Sequence, residues 1–340
     1  MKRNIKRLAQ HIIAATGRQS SLFKGRNELL ILTYHRILPR HDPRYRTEQP
    51  GMIVEPDTFR MHLRELKTLF EPVSLSDWIA KAKDGKALPR KAVAITFDDG
   101  WRDNYDHGYP HLRAESFPAT IFLVSDMVGT QQTFWPERLM KIIAYAARSG
   151  NTSIWTTPEF QWLTDSGIET GMIENPPSIA TLDAIVCHAK RFSEETLYAH
   201  VDAMAKHVPN NTDEPPDILD WDQIVEMDNS GLIQFGSHTR HHTRMSNTLP
   251  QTTVQDEIIG SKKLLEDNIG KPVNLFCYPN GDITDSAAQL VSEHYNAALT
   301  TQPGWNAARN TPFHQLKRIS IHQDIAYDRT AFLSRLSGWL

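Results

Sequence analysis

The 340-residue chain has few cysteines, no long apolar run and almost no net charge, and each shortage excludes a class of protein. Its two cysteines, Cys187 and Cys277, form no CxxC pair and are too few to provide the disulfide framework of a secreted domain. No run of about 18 apolar residues is present, which excludes a membrane-spanning helix. With 37 basic and 40 acidic residues, the formal charge is −3. This balance excludes a protein that binds nucleic acid through a basic surface covering the whole molecule.

Acidic residues are absent from the start of the chain, where residues 1–27 contain seven bases. The apolar residues of this segment share one helical face at Ile5, Leu8, Ile12 and Ile13. The pattern predicts either a helix docked on its own domain or an amphipathic helix on an anionic membrane surface. The apolar stretch is too short and too interrupted for a cleaved signal peptide, so we expect a cytoplasmic protein, peripheral at the inner membrane through residues 1–27, rather than a secreted one.

Seven short apolar runs rich in β-branched residues alternate with helix-like segments along the chain. The runs lie at 30–34, 92–97, 119–124, 232–236, 273–278, 297–301 and 316–321. Near-continuous apolar strands alternating with helices are typical of a buried parallel sheet. Seven of them predict a closed or nearly closed α/β barrel within residues 28–340.

The interval between the third and fourth runs exceeds 100 residues, which is far longer than an ordinary connection. It has helical patterns and enough Trp, Leu and Ile to pack a core of its own. Residues 151–220 also hold twelve acids against three bases. We therefore expect residues 134–220 to form a helical insertion or cap with a solvated acidic face.

Two adjacent carboxylates, Asp98 and Asp99, directly follow the second apolar run. Burying both is costly unless each has a charged partner or a metal ion. A turn beginning at Gly100 would direct both side chains to the barrel mouth. The alternative is that one aspartate caps the following helix and the other is solvated.

A pair of histidines, His238 and His242, follows the fourth run with i,i+4 spacing, which places two imidazoles on one side of a turn. Such pairs are also common on helix surfaces, and His241 is an alternative partner by i,i+3 spacing. Both this pair and the carboxylates follow strands, where α/β barrels place catalytic residues. Two histidines and one carboxylate form a divalent-metal site with room left for water.

Three ordered motifs resemble the polysaccharide deacetylases of the NodB-homology type, carbohydrate esterase family 4. They are Thr96-Phe97-Asp98-Asp99-Gly100, His238-Thr239-Arg240-His241-His242 and Phe276-Cys277-Tyr278-Pro279-Asn280-Gly281. Weaker elements at 304–306 and 316–319 extend the resemblance over roughly residues 28–325. It implies a distorted (β/α)7 TIM-like barrel, with the helical insertion between the third and fourth strands. It also implies a metal-dependent hydrolase that removes N-acetyl groups from amino sugars of a surface polysaccharide, its precursor such as a lipid-linked sugar, or a glycoconjugate.

The resemblance also implies roles for individual residues. Asp99, His238 and His242 are expected to hold the metal, most often Zn²⁺, with Co²⁺, Ni²⁺ or Fe²⁺ as alternatives. Asp98 is expected to act as the general base, because a carboxylate bound to metal is a poor proton acceptor. The backbone N–H of Asn280 is expected to stabilise the oxyanion.

This chain departs from the family pattern at two positions. It lacks the C-terminal Leu-x-His element, and Tyr34-His35 at the end of the first run resembles the branch in which an N-terminal Tyr-His motif supplies the general acid. His35 is therefore predicted as the acid, the alternative being a histidine that only satisfies backbone carbonyls. Cys277 stands where many members have an arginine that pairs with the catalytic aspartate, and we expect it to pack. Arg318 is predicted to replace that arginine, the alternative being an exposed salt bridge.

Aromatic residues in the motifs are candidates for sugar binding. Trp101 and Trp305 follow strands and are predicted to stack on sugar rings, with Trp305 walling the acetyl pocket, although tryptophan is as often a packing residue. Tyr278 of the third motif is also predicted to contact substrate. Two rival functions remain open, an O-acetyl esterase or non-sugar amidase on the same barrel, and a catalytically silent sugar-binding or assembly protein.

Overall fold

The computed structural model describes residues 2–20, 27–209, 216–309 and 311–337, with side chains described from residue 7 onward. Within these ranges the strands are β1 Glu28–Tyr34, β2 Arg36–Ile37, β3 Ile53–Val54, β4 Glu71–Pro72, β5 Lys91–Phe97, β6 Ala119–Leu123, β7 Ile233–Ser237, β8 Leu275–Cys277, β9 Ala297–Leu299, β10 Asn306–Ala307 and β11 Ile319–Ser320. The α-helices are α1 Lys2–Thr16, α2 Pro56–Leu69, α3 Leu75–Lys83, α4 Tyr109–Glu115, α5 Trp135–Arg148, α6 Pro158–Asp165, α7 Ile179–Ala189, α8 Glu194–Ala205, α9 Trp221–Asn229, α10 Gln251–Gln255, α11 Ser261–Ile269, α12 Asp285–His294, α13 Gln323–Ala326 and α14 Arg329–Leu336.

The apolar strands form a curled parallel sheet in the order β1-β5-β6-β7-β8-β9. Neighbouring strands are in register at their carboxyl ends, as where Thr33 of β1 lies beside Thr96 of β5. On the other side of β1 lies β11, also parallel, and a bridge between Leu299 and Leu316 continues the ring toward β9. Each of the seven predicted runs overlaps one of these strands, and the long helical insertion separates β6 from β7. The predicted seven-stranded α/β barrel is therefore confirmed.

Side chains alternate between two layers of the core along each strand. Leu29 and Ile31 of β1 pack with residues from strands around the ring, including Cys277, and so point into the barrel. Leu30 and Leu32 belong instead to the larger cluster formed with the surrounding helices. This parity decides which residue of a motif at a strand end can reach the interior.

The chain divides into two compact units. The barrel unit comprises residues 1–38, 53–131 and 216–340, and the second unit comprises residues 39–52 and 132–215. The second unit has its own apolar core, in which α5 packs against α7 and α8. Residues 39–52 pack with this unit, although the sequence analysis assigned them to the barrel, and the side chain of Gln49 donates to Asp183 of α7 at 2.9 Å.

Helix α1 belongs to the barrel unit and packs against α14. The side-chain amide of Gln19 folds back and donates to the carbonyl oxygens of Ile13 and Ala14, which closes the end of the helix. The ammonium of Lys91, the first residue of β5, donates to the carbonyl oxygen of Ser20. The segment after α1 is thus held at the amino-terminal end of the barrel strands. None of the helices in the described ranges has the length and hydropathy needed to span a bilayer.

Candidate active site

Two strand ends supply the central residues of the site. Asp98 and Asp99 follow β5, and His238 follows β7, with β6 between the two strands. Asp99 and Gly100 have φ values of 74° and 77°, so the chain turns immediately after Asp98. A Cβ at residue 100 would lie 2.9 Å from Cδ2 of Leu123, which favours glycine there. Both carboxylates are 4% exposed, so each needs a charged or hydrogen-bonding partner.

Asp99, His238 and His242 converge at this end of the barrel. Oδ1 of Asp99 lies 3.5 Å from Nε2 of each histidine. Nδ1 of His238 donates to the carbonyl oxygen of Cys277 at 2.7 Å, which leaves the lone pair of Nε2 for the cluster. Burial lowers the pKa of His238 to about 4, so its ring is neutral at neutral pH, as a metal ligand must be.

The geometry of this cluster fits a divalent cation. The three ligand atoms lie within 4.8 Å of one another, and an ion with bonds of about 2.0–2.2 Å to nitrogen and oxygen can lie between them. The indole Nε1 of Trp101 donates to Oδ2 of Asp99 at 2.9 Å. This bond orients the carboxylate and leaves Oδ1 for the ion.

A bidentate ion pair holds Asp98. Nη1 of Arg318 donates to Oδ1 of Asp98 at 2.7 Å, and Nη2 donates to Oδ2 at 2.8 Å. Burial raises the pKa of Asp98, but the charge and hydrogen bonds of Arg318 outweigh burial and hold it well below its ordinary value. Asp98 is therefore ionised at neutral pH, and Arg318 is buried against it rather than in an exposed salt bridge.

The Cys277 side chain contacts the same ion pair. Its Sγ lies 3.1 Å from Nη2 of Arg318 and 3.7 Å from Oδ2 of Asp98. Burial raises the pKa of this thiol, so it remains protonated. Cys277, Asp98 and His238 are also close enough to hold an ion, but a neutral thiol and a carboxylate paired with arginine are weak ligands. The sequence pattern predicted packing alone for Cys277 and gave no sign of its contacts with Asp98 and Arg318.

Two histidines lie at neighbouring strand ends of the barrel. His35 follows β1, and its Nδ1 is buried without a hydrogen-bond partner among the described residues. It is close enough to interact electrostatically with both Asp98 and His322. His322 follows β11, and its Nδ1 lies 3.3 Å from Asp324. His322 was not among the predicted site residues, although its position two residues after an apolar strand was a usable signal.

The third motif places its residues differently from the prediction. The Cys277 side chain points into the barrel, so that of Tyr278 points outward, where its ring packs against Phe276 with centroids 5.1 Å apart. The prediction that Tyr278 contacts substrate is therefore wrong, because strand parity turns it away from the site. Asn280 lies in the turn after β8 with φ of 54°, and the oxyanion role of its N–H stays a prediction.

The two tryptophans do not provide exposed stacking surfaces. Trp101 is fully buried, with the guanidinium of Arg36 lying 4.1 Å from its ring centroid, so its contact with the site is the bond to Asp99. Trp305 lies at the opposite end of the barrel, because β10 begins at the next residue and pairs with the start of β1. Its Nε1 donates to the carbonyl oxygen of Leu336 at 3.0 Å. The prediction that Trp305 walls the acetyl pocket is wrong.

Comparison with known sequences identifies the family. A sequence model described as polysaccharide deacetylase matches residues 85–181 and 189–298, which include both strand ends of the site. The chain belongs to the polysaccharide deacetylase family. Among curated members, YxkH of Bacillus subtilis (strain 168), provisionally named a polysaccharide deacetylase, is 22% identical over 237 residues, 69% of this chain and 53% of YxkH. The chain thus spans about half the length of this relative.

Solved structures of polysaccharide deacetylases share the fold. The Streptococcus pyogenes deacetylase PplD in complex with acetate has a TM-score of 0.56 at 19% identity, over 88% of this chain and 94% of PplD. IcaB from Ammonifex degensii has a TM-score of 0.54 at 18% identity, over 91% of this chain and 98% of IcaB. The likeness covers the distorted barrel that the sequence motifs implied.

Proposed function

We propose that this polysaccharide deacetylase family member is a metal-dependent hydrolase that removes N-acetyl groups from amino sugars of a surface polysaccharide, its precursor or a glycoconjugate. One observation carries the proposal. A two-histidine, one-carboxylate cluster lies beside an ionised aspartate that is bound by arginine and is therefore available as a base. Metal-assisted hydrolysis of an acyl group uses a metal site and a base at one place.

Each side chain at this end of the barrel has a distinct task. Asp99, His238 and His242 would hold the divalent ion, expected to be zinc, with cobalt, nickel or iron as alternatives. When bound, the ion supplies Lewis-acid polarisation of the acyl carbonyl and promotes the ionisation of water. Asp98 accepts the proton of the attacking water. Arg318 keeps Asp98 charged and oriented, and the low pKa that it imposes also limits the strength of Asp98 as a base.

The departing amine needs a proton, and His35 is the proposed donor because it follows β1 and interacts electrostatically with Asp98. Oxygen of water forms the new bond to the acyl carbon, the carbon–nitrogen bond breaks, and the proton passes from His35 to the amine nitrogen. The products are acetate and the free amino sugar. The N–H of Asn280 is the proposed donor to the developing oxyanion. His322 is the second candidate for the acid, because it lies at the neighbouring strand end.

The name of one relative supports the proposed substrate class. The poly-beta-1,6-N-acetyl-D-glucosamine N-deacetylase of Staphylococcus epidermidis is 28% identical over 130 residues, 35% of this chain and 44% of that protein. We therefore propose that an N-acetylated glycan or a lipid-linked amino sugar is the substrate of this chain.

Acetate release from a panel of compounds tests the proposed activity. Metal-free protein and zinc-loaded protein are incubated with N-acetylglucosamine oligomers, O-acetylated sugars and simple N-acyl amides. We expect release from the N-acetylated glycans by the zinc-loaded protein and none after chelation. Preference for O-acetyl sugars or simple amides would support the rival hydrolases. Sugar binding without acetate release at saturating metal would refute hydrolysis.

We also propose that the protein works in the cytoplasm, peripherally at the inner membrane through residues 1–27. The side chains of Leu8 and Ile12, one helical turn apart, are 63% and 56% exposed, while Ile13 and Ala14 are half-buried. An exposed apolar strip on a helix is suited to the boundary between lipid headgroups and acyl chains. The seven bases and no acid of residues 1–27 favour an anionic surface.

A further inference from the structure

The loop that carries His238 and His242 has an unfavourable backbone conformation. Thr239 and His242 have φ values of 68° and 63°, in the left-handed region that β-branched and bulky residues rarely adopt. Such residues persist only where the surrounding structure holds them. Some other part of the barrel unit must therefore stabilise the loop.

Glu257 supplies that stabilisation from the helical segment that follows the loop. Its side chain is 3% exposed and accepts four hydrogen bonds from the loop. Oε2 accepts from the backbone N–H groups of Arg240 and His241, at 2.9 Å and 3.1 Å. Oε1 accepts from Nδ1 of His241 at 2.7 Å and from Oγ1 of Thr243 at 2.9 Å. Consecutive N–H groups directed at one anionic oxygen form a nest that a carboxylate fits.

The segment that carries Glu257 is itself tied to the loop. Residues Asp256–Gly260 form one turn of π-helix between α10 and α11, a local widening found often at functional sites. Nη1 of Arg240 donates to Oδ1 of Asp256 at 2.8 Å. On its other side, Nε of Arg240 donates to Oδ1 of Asp126 at 3.0 Å. The loop is thus clamped between the π-turn and the end of β6.

We propose that Glu257 is the positioning residue of the metal site. It holds residues 238–243 in the conformation in which Nε2 of both histidines faces Asp99. Its four bonds go to residues between and immediately after the two predicted ligands, so it acts through the loop and not on the ion. The inference rests on the proposed function only in taking Asp99, His238 and His242 as the metal ligands.

Zinc affinity of Glu257→Gln tests this proposal. The amide keeps the shape of the side chain but replaces one acceptor oxygen with an NH₂ group, which would face N–H or hydroxyl donors. We expect zinc affinity, measured by competition with a chelating dye, to fall by about 10–100-fold, as for other partners that orient metal ligands. Turnover should return at saturating zinc with KM unchanged, because no contact with substrate is altered.

The matched control is Glu266→Gln. Glu266 is a partly buried glutamate on α11 that accepts from the backbone N–H of Val273 at 2.9 Å, away from the loop. This variant should bind zinc as the wild type does. A second variant, Thr243→Val, removes one of the four donors and should weaken zinc binding by a smaller factor, and it carries the test if Glu257→Gln does not fold.

The outcomes separate this inference from the proposed function. Wild-type zinc affinity in folded Glu257→Gln, or an equal loss in Glu266→Gln, overturns the positioning role alone. Wild-type affinity in Thr243→Val, where Glu257→Gln is not folded, does the same. A wild-type protein that binds no divalent ion overturns the proposed function, and the positioning role with it.

Discussion

At the scale of the residue, Asp98 and Asp99 are neighbours in sequence with different surroundings. Asp98 accepts hydrogen bonds from both Nη atoms of Arg318. Asp99 accepts a hydrogen bond from the indole N–H of Trp101 and lies beside the imidazoles of His238 and His242. These different surroundings suit Asp98 to the proposed role of base and Asp99 to the proposed role of metal ligand, although both are aspartates. The sequence motifs indicated the pair and also Arg318, but not the bidentate geometry, because that geometry depends on a contact between residues 220 positions apart.

Substitution of His35 and of His322, one at a time, distinguishes which of them is the general acid. His35→Ala should lower kcat by about 10²–10⁴-fold, the usual contribution of a positioned acid or base, with zinc content unchanged. His322→Ala should have a smaller effect. Burial lowers the pKa of His322, so a smaller fraction of its imidazole carries a proton at neutral pH. Turnover and bound zinc are measured on both variants.

A larger loss of kcat in His322→Ala than in His35→Ala would identify His322, at the end of β11, as the general acid. Loss of zinc from His35→Ala would instead show that His35 supports the metal site. A control substitution at His107, in the π-helical turn Asn104–Gly108, should leave turnover and zinc content unchanged.

At the scale of the element, helices and strands could be predicted from the sequence where their apolar pattern extends over many residues. The apolar spacing over 56–69 predicts a helix, and α2 spans Pro56–Leu69. The two-residue strand β10 is too short to produce a pattern, and missing it placed Trp305 at the wrong end of the barrel. The apolar run around β8 also does not show which of its side chains point into the barrel. Tyr278 was therefore predicted to contact substrate and Cys277 only to pack, whereas Cys277 points inward and Tyr278 outward.

Helix α1 gives a prediction at the same scale. The wild-type protein should sediment with vesicles of phosphatidylglycerol and phosphatidylcholine, and less with phosphatidylcholine alone. Leu8→Ser combined with Ile12→Ser should weaken binding by at least about tenfold, because two apolar side chains no longer enter the lipid. Both side chains are exposed, so thermal stability should not change.

Met172→Ser is the matched control for α1, because Met172 is 76% exposed in the second unit. It should bind vesicles as the wild type does. Equal binding to both vesicle types, or unchanged binding by the double variant, contradicts a membrane role for α1. Concentration-dependent self-association that the double variant abolishes, without vesicle binding, would assign the strip to a second copy of the chain.

At the scale of the whole molecule, the described residues of the barrel unit and of the second unit each form their own apolar core. The acidic residues of 151–220 fall mainly in the second unit, whose helices were predictable from local patterns. The membership of residues 39–52 in that unit was not predictable, since it depends on contacts such as the one between Gln49 and Asp183. Contacts over such separations leave no periodic signal in the sequence.

The central claim is that Asp98 is the base of a metal-dependent hydrolase and not a ligand, and Asp98→Asn tests it most directly. The substitution leaves Arg318 without its charge partner, which costs roughly 3–5 kcal/mol of stability, so folding is verified by circular dichroism below the Tm. Bound zinc and acetate release from N-acetylglucosamine oligomers are then measured on the same sample. We expect zinc content equal to that of the wild type and acetate release lower by about 10²–10⁴-fold. Acetate release near the wild-type rate, or loss of the zinc from the folded variant, would contradict the central claim.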